Sequence, residues 1–445
     1  MTRVARPLAW LLAALVALAA PTAQAIDIKP LVSPGGIRYW LVQDSTAPII
    51  SISFSMAGGA VLDPQGKEGA ASLLSSLLDQ GAGPHDTVAF KALQEDIAAR
   101  LSFWASAERF GGSLRMLRDA RAESIDLLRL ALTQPRFDPE AIERQRRATI
   151  AGLRQSEESP NAIASRTLSR ATFGEHPYGR QVDGTASSVG AITIEDIKAL
   201  AARQLTRNKL IVAVVGDTSA EVIGPLLDRA FGALPAGDSV PGAPAWTPAP
   251  TKPGGRLLVV QRAMPQSVAL MSLPGLKRDD PDWYAATVMN YVLGGGGFNS
   301  RLMNEVRDKR GLAYGASSRL SYYDQGGVFT ASVATMNQRV AESIKIMREQ
   351  FDLMAKAGIT DRELAEAKQY IVGSLAISLD SSASIAALLH QMQVDNLAPD
   401  QLTRRKELID KVTADDVRRV ARRLLREDAL TIVVVGQPVG VTATE

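Results

Sequence analysis

TIEDIKALAARQLTRNKLIVAVVGD, Thr193–Asp217, returns as TADDVRRVARRLLREDALTIVVVGQ, Thr413–Gln437, at a constant offset of 220 residues and without a gap. Each copy opens on a threonine with an acid three residues on, a pair that predicts a capped helix start. Each continues with an amphipathic helical period and closes on a β-branched run ending in Gly216 or Gly436. A helix-then-strand ending repeated this way means that the chain holds two copies of one unit. Other segments correspond more loosely. IRYWLVQ (Ile37–Gln43) and GRLLVVQ (Gly255–Gln261) read as strands that open each half, and FDPEAIERQRRATIAGL from Phe137 and ITDRELAEAKQYIVGSL from Ile359 read as capped helices. LSYYDQGGVFTASVA, from Leu320, reads as an antiparallel hairpin turning at Asp324-Gln325-Gly326-Gly327. Strands with hairpin signals and helices grouped apart from them predict an α+β fold. Two duplicated domains follow, each a mostly antiparallel sheet packed by helices: 26–235 and 256–445. The segment 236–255 between them, with Pro241, Pro244, Pro248, Pro250 and Pro253, reads as a stiff linker.

The ends and the composition bound the setting. Arg3 and Arg6, the apolar run Leu8–Ala20 and Ala23-Gln24-Ala25 predict an export signal over residues 1–25, cleaved after Ala25. A periplasmic protein starting near Ile26 is the expectation, and no later segment has the length and apolarity of a membrane span. The formal charge is +3, and removing Arg3 and Arg6 leaves about +1. Near-neutrality predicts neither a nucleic-acid nor an anionic-membrane partner. The arginines at Arg144–Arg147 and Arg418–Arg426 lie on helix-patterned segments with acids nearby, as solvated faces do. There is no cysteine, which excludes disulfides, thiolate metal sites and a cysteine nucleophile.

The candidate functional element is GGGGFNSRLMNEVRDKRGLAY, Gly294–Tyr314. Gly294, Gly295, Gly296 and Gly297 free the backbone to turn, and are expected to let an extended substrate backbone approach. Asn299 or Ser300 is expected to cap a helix, Arg301–Arg310, which Gly311 closes. Arg307 on its last turn and Tyr314 at the start of the next strand are then expected to face one shared space.

These segments together resemble the pitrilysin/insulinase family of metallopeptidases, whose catalytic members carry an inverted zinc motif, H-x-x-E-H. GGAVLDPQGKEGAASLLSSLLDQGAG (Gly58–Gly83) is similar to the motif region, with Gly66, Lys67 and Gly69 in place. FGEHPYGRQVDGT (Phe173–Thr185) is similar to a recurrent family segment, and Gly294–Ser318 to a helix–turn–strand segment carrying an Arg and a Tyr seven residues apart. On that resemblance the two motif histidines fall on Ser72 and Ser76, the glutamate between them on Ser75, and the later E-x(6)-E pair on Gln145 and Gly152. A catalytic zinc needs three nitrogen or carboxylate donors and a base for its water, and these residues supply none. His85, His176 and His390 are far apart in sequence and form no ligand pair. The serines lack a base in local register and a sharp nucleophile turn, which argues against serine hydrolysis.

The resemblance implies a non-catalytic member that holds no metal itself. Some short members of the family form heterodimers, with the zinc motif on one chain and the Arg–Tyr pair on the other. In that reading Arg307 and Tyr314 complete a zinc-bearing partner's site, and the substrates are extended peptides. The competing reading is a structural or peptide-binding member with no part in catalysis. An independently active peptidase is disfavoured by the missing donors.

Overall fold

Both duplicated caps form as the sequence dictates. The Thr193 and Thr413 hydroxyls accept from the N–H of Asp196 and Asp416, whose carboxylates reach back to the threonine N–H. In the computed structural model, which describes residues 26–237, 244–248 and 253–444, the helices Ile194–Gln204 and Ala414–Leu424 follow these caps. The predicted signal, 1–25, and parts of the predicted linker lie outside the described residues.

The first sheet contains β1 (Lys29–Val32), β2 (Arg38–Gln43), β3 (Ile49–Ala57), β4 (Arg100–Ala105), β5 (Arg109–Leu117) and β6 (Ile211–Gly216), in the order β1-β2-β6-β3-β5-β4. The second contains β7 (Arg256–Gln261), β8 (Gln266–Pro274), β9 (Ala313–Tyr323), β10 (Gly326–Met336) and β11 (Thr431–Gly436), in the order β7-β11-β8-β10-β9. The strand after each repeated helix makes the one parallel pairing of its sheet, β6 with β2 and β11 with β7, and the other pairings are antiparallel. The fold is α+β, and the strand orders of the two halves match except for β1. Beside β7, the C-terminal residues take the corresponding edge, where Thr444 N–H donates to Leu257 O at 2.8 Å.

Why β6 and β11 read as unbroken apolar runs is now plain: both of their faces are covered. On one face each sheet packs on helices of its own half. Ile50, Ile52, Phe54 and Met56 of β3 belong to the first such core, and Met271, Phe329 and Val333 to the second. The opposite face is covered by a helix from the other half. The helix Ser382–Val394 lays Ile385, Ala386, Leu389 and Met392 against Val42, Ala213 and Val215 of the first sheet. Reciprocally, the helix Pro160–Phe173 lays Ile163, Ala164 and Leu168 against Val268, Val433 and Val435 of the second. The halves thus exchange one helix each, and neither sheet is complete alone. Each large aliphatic side chain buried this way contributes about 1.5–3 kcal/mol.

Polar contacts fix the register of this exchange. Arg109 Nε donates to Ser55 Oγ at 2.7 Å, and Ser55 Oγ lies 2.6 Å from His390 Nε2 on the crossing helix. The Ser55 hydroxyl oxygen carries two lone pairs, so it bonds to the neutral His390 imidazole and to the Arg109 donor at once. Burial, and then the Arg109 charge, hold His390 down at about 4. A histidine depressed from 6.5 is protonated in the unfolded chain first, so its share of stability is lost as pH falls from about 6.5 towards 4. We expect the wild type to lose about 2 kcal/mol relative to His390→Gln between pH 7 and pH 5, read by denaturant unfolding at both values. Parallel pH dependences for the two proteins would contradict this arrangement.

A second contact docks the β9–β10 hairpin tip on the first half. The Asp324 N–H donates to both Glu108 carboxylate oxygens at 3.1 Å, and Tyr178 OH donates to the same carboxylate. Tyr178 stacks on Tyr323 at 4.4 Å between ring centres. His176 accepts from Tyr178 N–H through Nδ1 and donates through Nε2 to Pro244 O at 2.7 Å. One expectation needs correction here. The hairpin turns on Asp324 and Gln325 alone, with Gly326 paired to Tyr323 inside the ladder. Its glycines serve close approach instead: a Cβ on Gly326 would stand 2.4 Å from the Trp246 ring and one on Gly327 2.0 Å from Leu276 O. In the described part of the linker, Trp246 packs on Phe173 at 5.0 Å.

Candidate functional site

Two places need describing: the emptied motif region of the first half and the glycine-to-tyrosine segment of the second. In the first, the helix Ala70–Ser75 starts at Gly69, whose φ of 94° an ordinary side chain would strain. The Asp63 carboxylate accepts from Gly69 N–H and Ala71 N–H, both at 2.8 Å. Burial pushes Asp63 up to about 7 despite those donors.

The spacing of Ser72, Ser75 and Ser76 would set them on one face of a continuous helix. The helix ends at Ser75, and Ser76 is its C-cap. Ser75 Oγ and Ser76 Oγ each donate to the carbonyl three residues back, at 2.7 Å, a back-bonding that competes with continuation of a helix. Ser72 Oγ donates to Asp183 Oδ1 at 2.7 Å. The neighbouring helix Pro139–Glu157 carries Gln145, half-buried, and Gly152, exposed with nothing within 4 Å of where a Cβ would stand. No imidazole or second carboxylate joins them, and among the described residues no group of three or more His, Asp or Glu side chains is placed to hold a metal ion. The donor set does not fit zinc.

In the second half the expected helix Arg301–Arg310 is shorter and irregular. Ser300 does cap it, its side chain accepting from Met303 N–H. After Arg301–Met303, however, the chain widens into a π-turn over Asn304–Asp308, with Lys309 N–H bonded to Asn304 O. A matching π-turn, Tyr291–Gly295, follows the helix Trp283–Asn290 and takes in the first two glycines. Such widened turns are rare and concentrate at functional sites. Gly311, at a φ of 57°, closes the segment as expected.

The glycines separate into two kinds. A Cβ on Gly294 would stand 2.5 Å from Ser318 N and 2.9 Å from Leu302, one on Gly295 2.5 Å from Asn290, and one on Gly296 2.8 Å from Tyr291 O. Side chains there disturb the fold before they meet any ligand, which corrects the expectation that all four act first on substrate. Gly297 is open, and its φ of 59° is what demands glycine.

Arg301 and Arg307 also differ. Arg301 makes a two-point bond to Glu363 at 2.7 and 2.8 Å and a third to Gly358 O at 2.9 Å, so it is structural. Against the cost of burial, that pairing holds Glu363 down at about 2. Arg307 lies over the exposed Phe298 ring at 4.7 Å, with Asp308 only at 4.0 Å. Tyr314, at the second position of β9, is 91% exposed. The π-turn carrying Arg307 packs beside β9, so the two side chains emerge from adjacent elements. Tyr314 stands in solvent, while Arg307 is half-buried on the Phe298 ring.

A duplicated α+β chain with a motif helix in one half and an Arg–Tyr segment in the other is the class that these features define. Models of two portions of one peptidase family match this chain: "Insulinase (Peptidase family M16)" over residues 38–186 and "Peptidase M16 inactive domain" over residues 191–371. The chain belongs to this family, the pitrilysin/insulinase metallopeptidases. It is 27% identical to an uncharacterized zinc protease of Streptomyces coelicolor, over 90% of this chain and 88% of the relative. It is 29% identical to a non-peptidase homolog of Helicobacter pylori, over 74% of this chain and 75% of that protein. A crystal structure described as a peptidase M16 inactive domain from Pseudomonas fluorescens superposes with a TM-score of 0.87 at 27% identity, covering 94% of this chain and all of that one. Relatives thus carry both protease and non-peptidase names.

Proposed function

We propose that this chain is the non-catalytic subunit of a two-chain zinc peptidase, supplying Arg307, Tyr314 and part of the peptide-binding surface to a zinc-bearing homologue. One contrast carries the reading. The donor positions hold Ser72, Ser75, Ser76, Gln145 and Gly152, while Tyr314 stands exposed and Arg307, half-buried on the Phe298 ring, has its carboxylate partner Asp308 only at 4.0 Å. In the partner, zinc would activate the attacking water. In this chain the guanidinium and phenol would donate to the oxygen on which charge develops, where one such donor is worth roughly 3–4 kcal/mol of barrier. The export signal expected over residues 1–25 supports a periplasmic setting for the proposed complex. Among the described residues no helix is long and apolar enough to cross a membrane.

The name of the Helicobacter pylori relative favours the second reading, a peptide-binding or structural member outside catalysis. Both readings predict that the purified mature chain binds no stoichiometric zinc and cleaves no peptide alone. Elemental analysis showing one tightly held zinc per chain, with chelator-sensitive cleavage, would overturn both. Peptidase activity that appears only on adding a zinc-bearing homologue separates the first from the second.

A further inference from the structure

The crossing helix Pro160–Phe173 packs on β8 and β11 but leaves β10 and the edge strand β9 open on the same side. Two adjoining hollows of about 400 Å³ each lie there, sharing Ser317 and Ser332, in the size range of ligand pockets, roughly 300–1,000 Å³. One end is bordered by Gly297 and Phe298, beneath Arg307, and the other by Tyr323. Cross-strand register fixes which side chains form the floor: Ser317 faces Ser332, and Arg319 faces Thr330. Ser165 and Ser169 of the helix form the wall.

Among all the residues lining both hollows, Arg319 is the one that carries a charge. It is exposed, and it has no ion pair among the described residues. A hydroxyl-lined groove offers donors and acceptors to a peptide backbone, and a lone guanidinium offers two parallel donors to a carboxylate. We propose that this groove binds an extended peptide segment and that Arg319 selects an acidic residue within it. The inference deepens the proposed function and rests on it for the peptide's course past Tyr314. Strand residues advance about 3.3 Å each, so Arg319 lies roughly 16 Å along β9 from Tyr314. The acidic residue of the peptide therefore sits about five positions from the residue beside Tyr314.

The test is fluorescence anisotropy with the mature chain alone and labelled Gly/Ser-rich decapeptides that differ only in one Glu or Gln. The Glu peptide is expected to bind about tenfold more tightly, by a margin that shrinks with salt. Arg319→Gln should bring the two affinities together, and Arg319→Glu should turn the preference towards a Lys peptide, with circular dichroism confirming the fold. Equal affinities in the wild type, a preference that survives Arg319→Gln, or no binding of any peptide would overturn the proposal. Failure here is distinguishable from failure of the two-chain reading, because no partner is present. A chain that selects acidic peptides yet activates no homologue refutes only the two-chain reading.

Discussion

Arg307→Ala and Tyr314→Phe are each expected to lower turnover of a reconstituted two-chain peptidase by about 10²-fold, with folding and assembly unchanged. The effect should fall on kcat and kcat/KM alike, because these donors strengthen against charge that appears only in the transition state. Stability should be spared for a structural reason. The Arg307 side chain is 38% exposed over Phe298, and Tyr314 has almost its whole surface in solvent. A suitable control is Arg362, 86% exposed and paired only within its own helix to Glu366 at 2.7 Å. Arg362→Ala should turn over as the wild type does. Arg319, although outside the Arg–Tyr segment, is no neutral control, since it lines the adjoining groove. Wild-type turnover in normally assembled Arg307→Ala and Tyr314→Phe complexes would remove the pair from catalysis.

Leu389→Ala is expected to cost about 2–4 kcal/mol of stability, the usual range for emptying a closed aliphatic site. Leu389 is fully buried, on a helix of the second half packed against the sheet of the first. The lesion should therefore not stay in one half. Denaturant unfolding, followed by a probe in each half, should remain a single transition shifted to lower midpoint. Two separated transitions, with only one displaced, would show that the helix exchange does not couple the halves.

Much of this architecture is legible in the sequence because it rests on local chemistry. The two capping boxes and the β-branched runs after them announce both halves and the α+β class. Local patterns carry no information about which sheet a helix covers, so the exchange of Pro160–Phe173 and Ser382–Val394 emerges only from packing. Polar residues on a buried strand face are the signal that was available: Ser51 and Ser55 alternate with the apolar residues of β3 because they meet Ser382 and His390 across the boundary. The π-turns were also beyond pattern reading, since a widened turn keeps helical composition. Gly294, Gly295 and Gly296 look like a flexible loop in sequence, whereas the structure uses them where neighbours leave no space for a side chain. Arg319 was inconspicuous for another reason: its meaning comes from the absence of any other charge around a groove that five separate segments create.

The most direct test of the central claim is to mix the purified mature chain with a zinc-bearing homologue carrying an intact H-x-x-E-H motif. Size by sedimentation, metal content and peptide cleavage should be measured for the mixture and for each chain alone. The account predicts a stable complex containing one zinc, contributed by the homologue, with cleavage well above the sum of the separate chains. Cleavage by the homologue that is complete by itself and unchanged on adding this chain, with no complex formed, would contradict it.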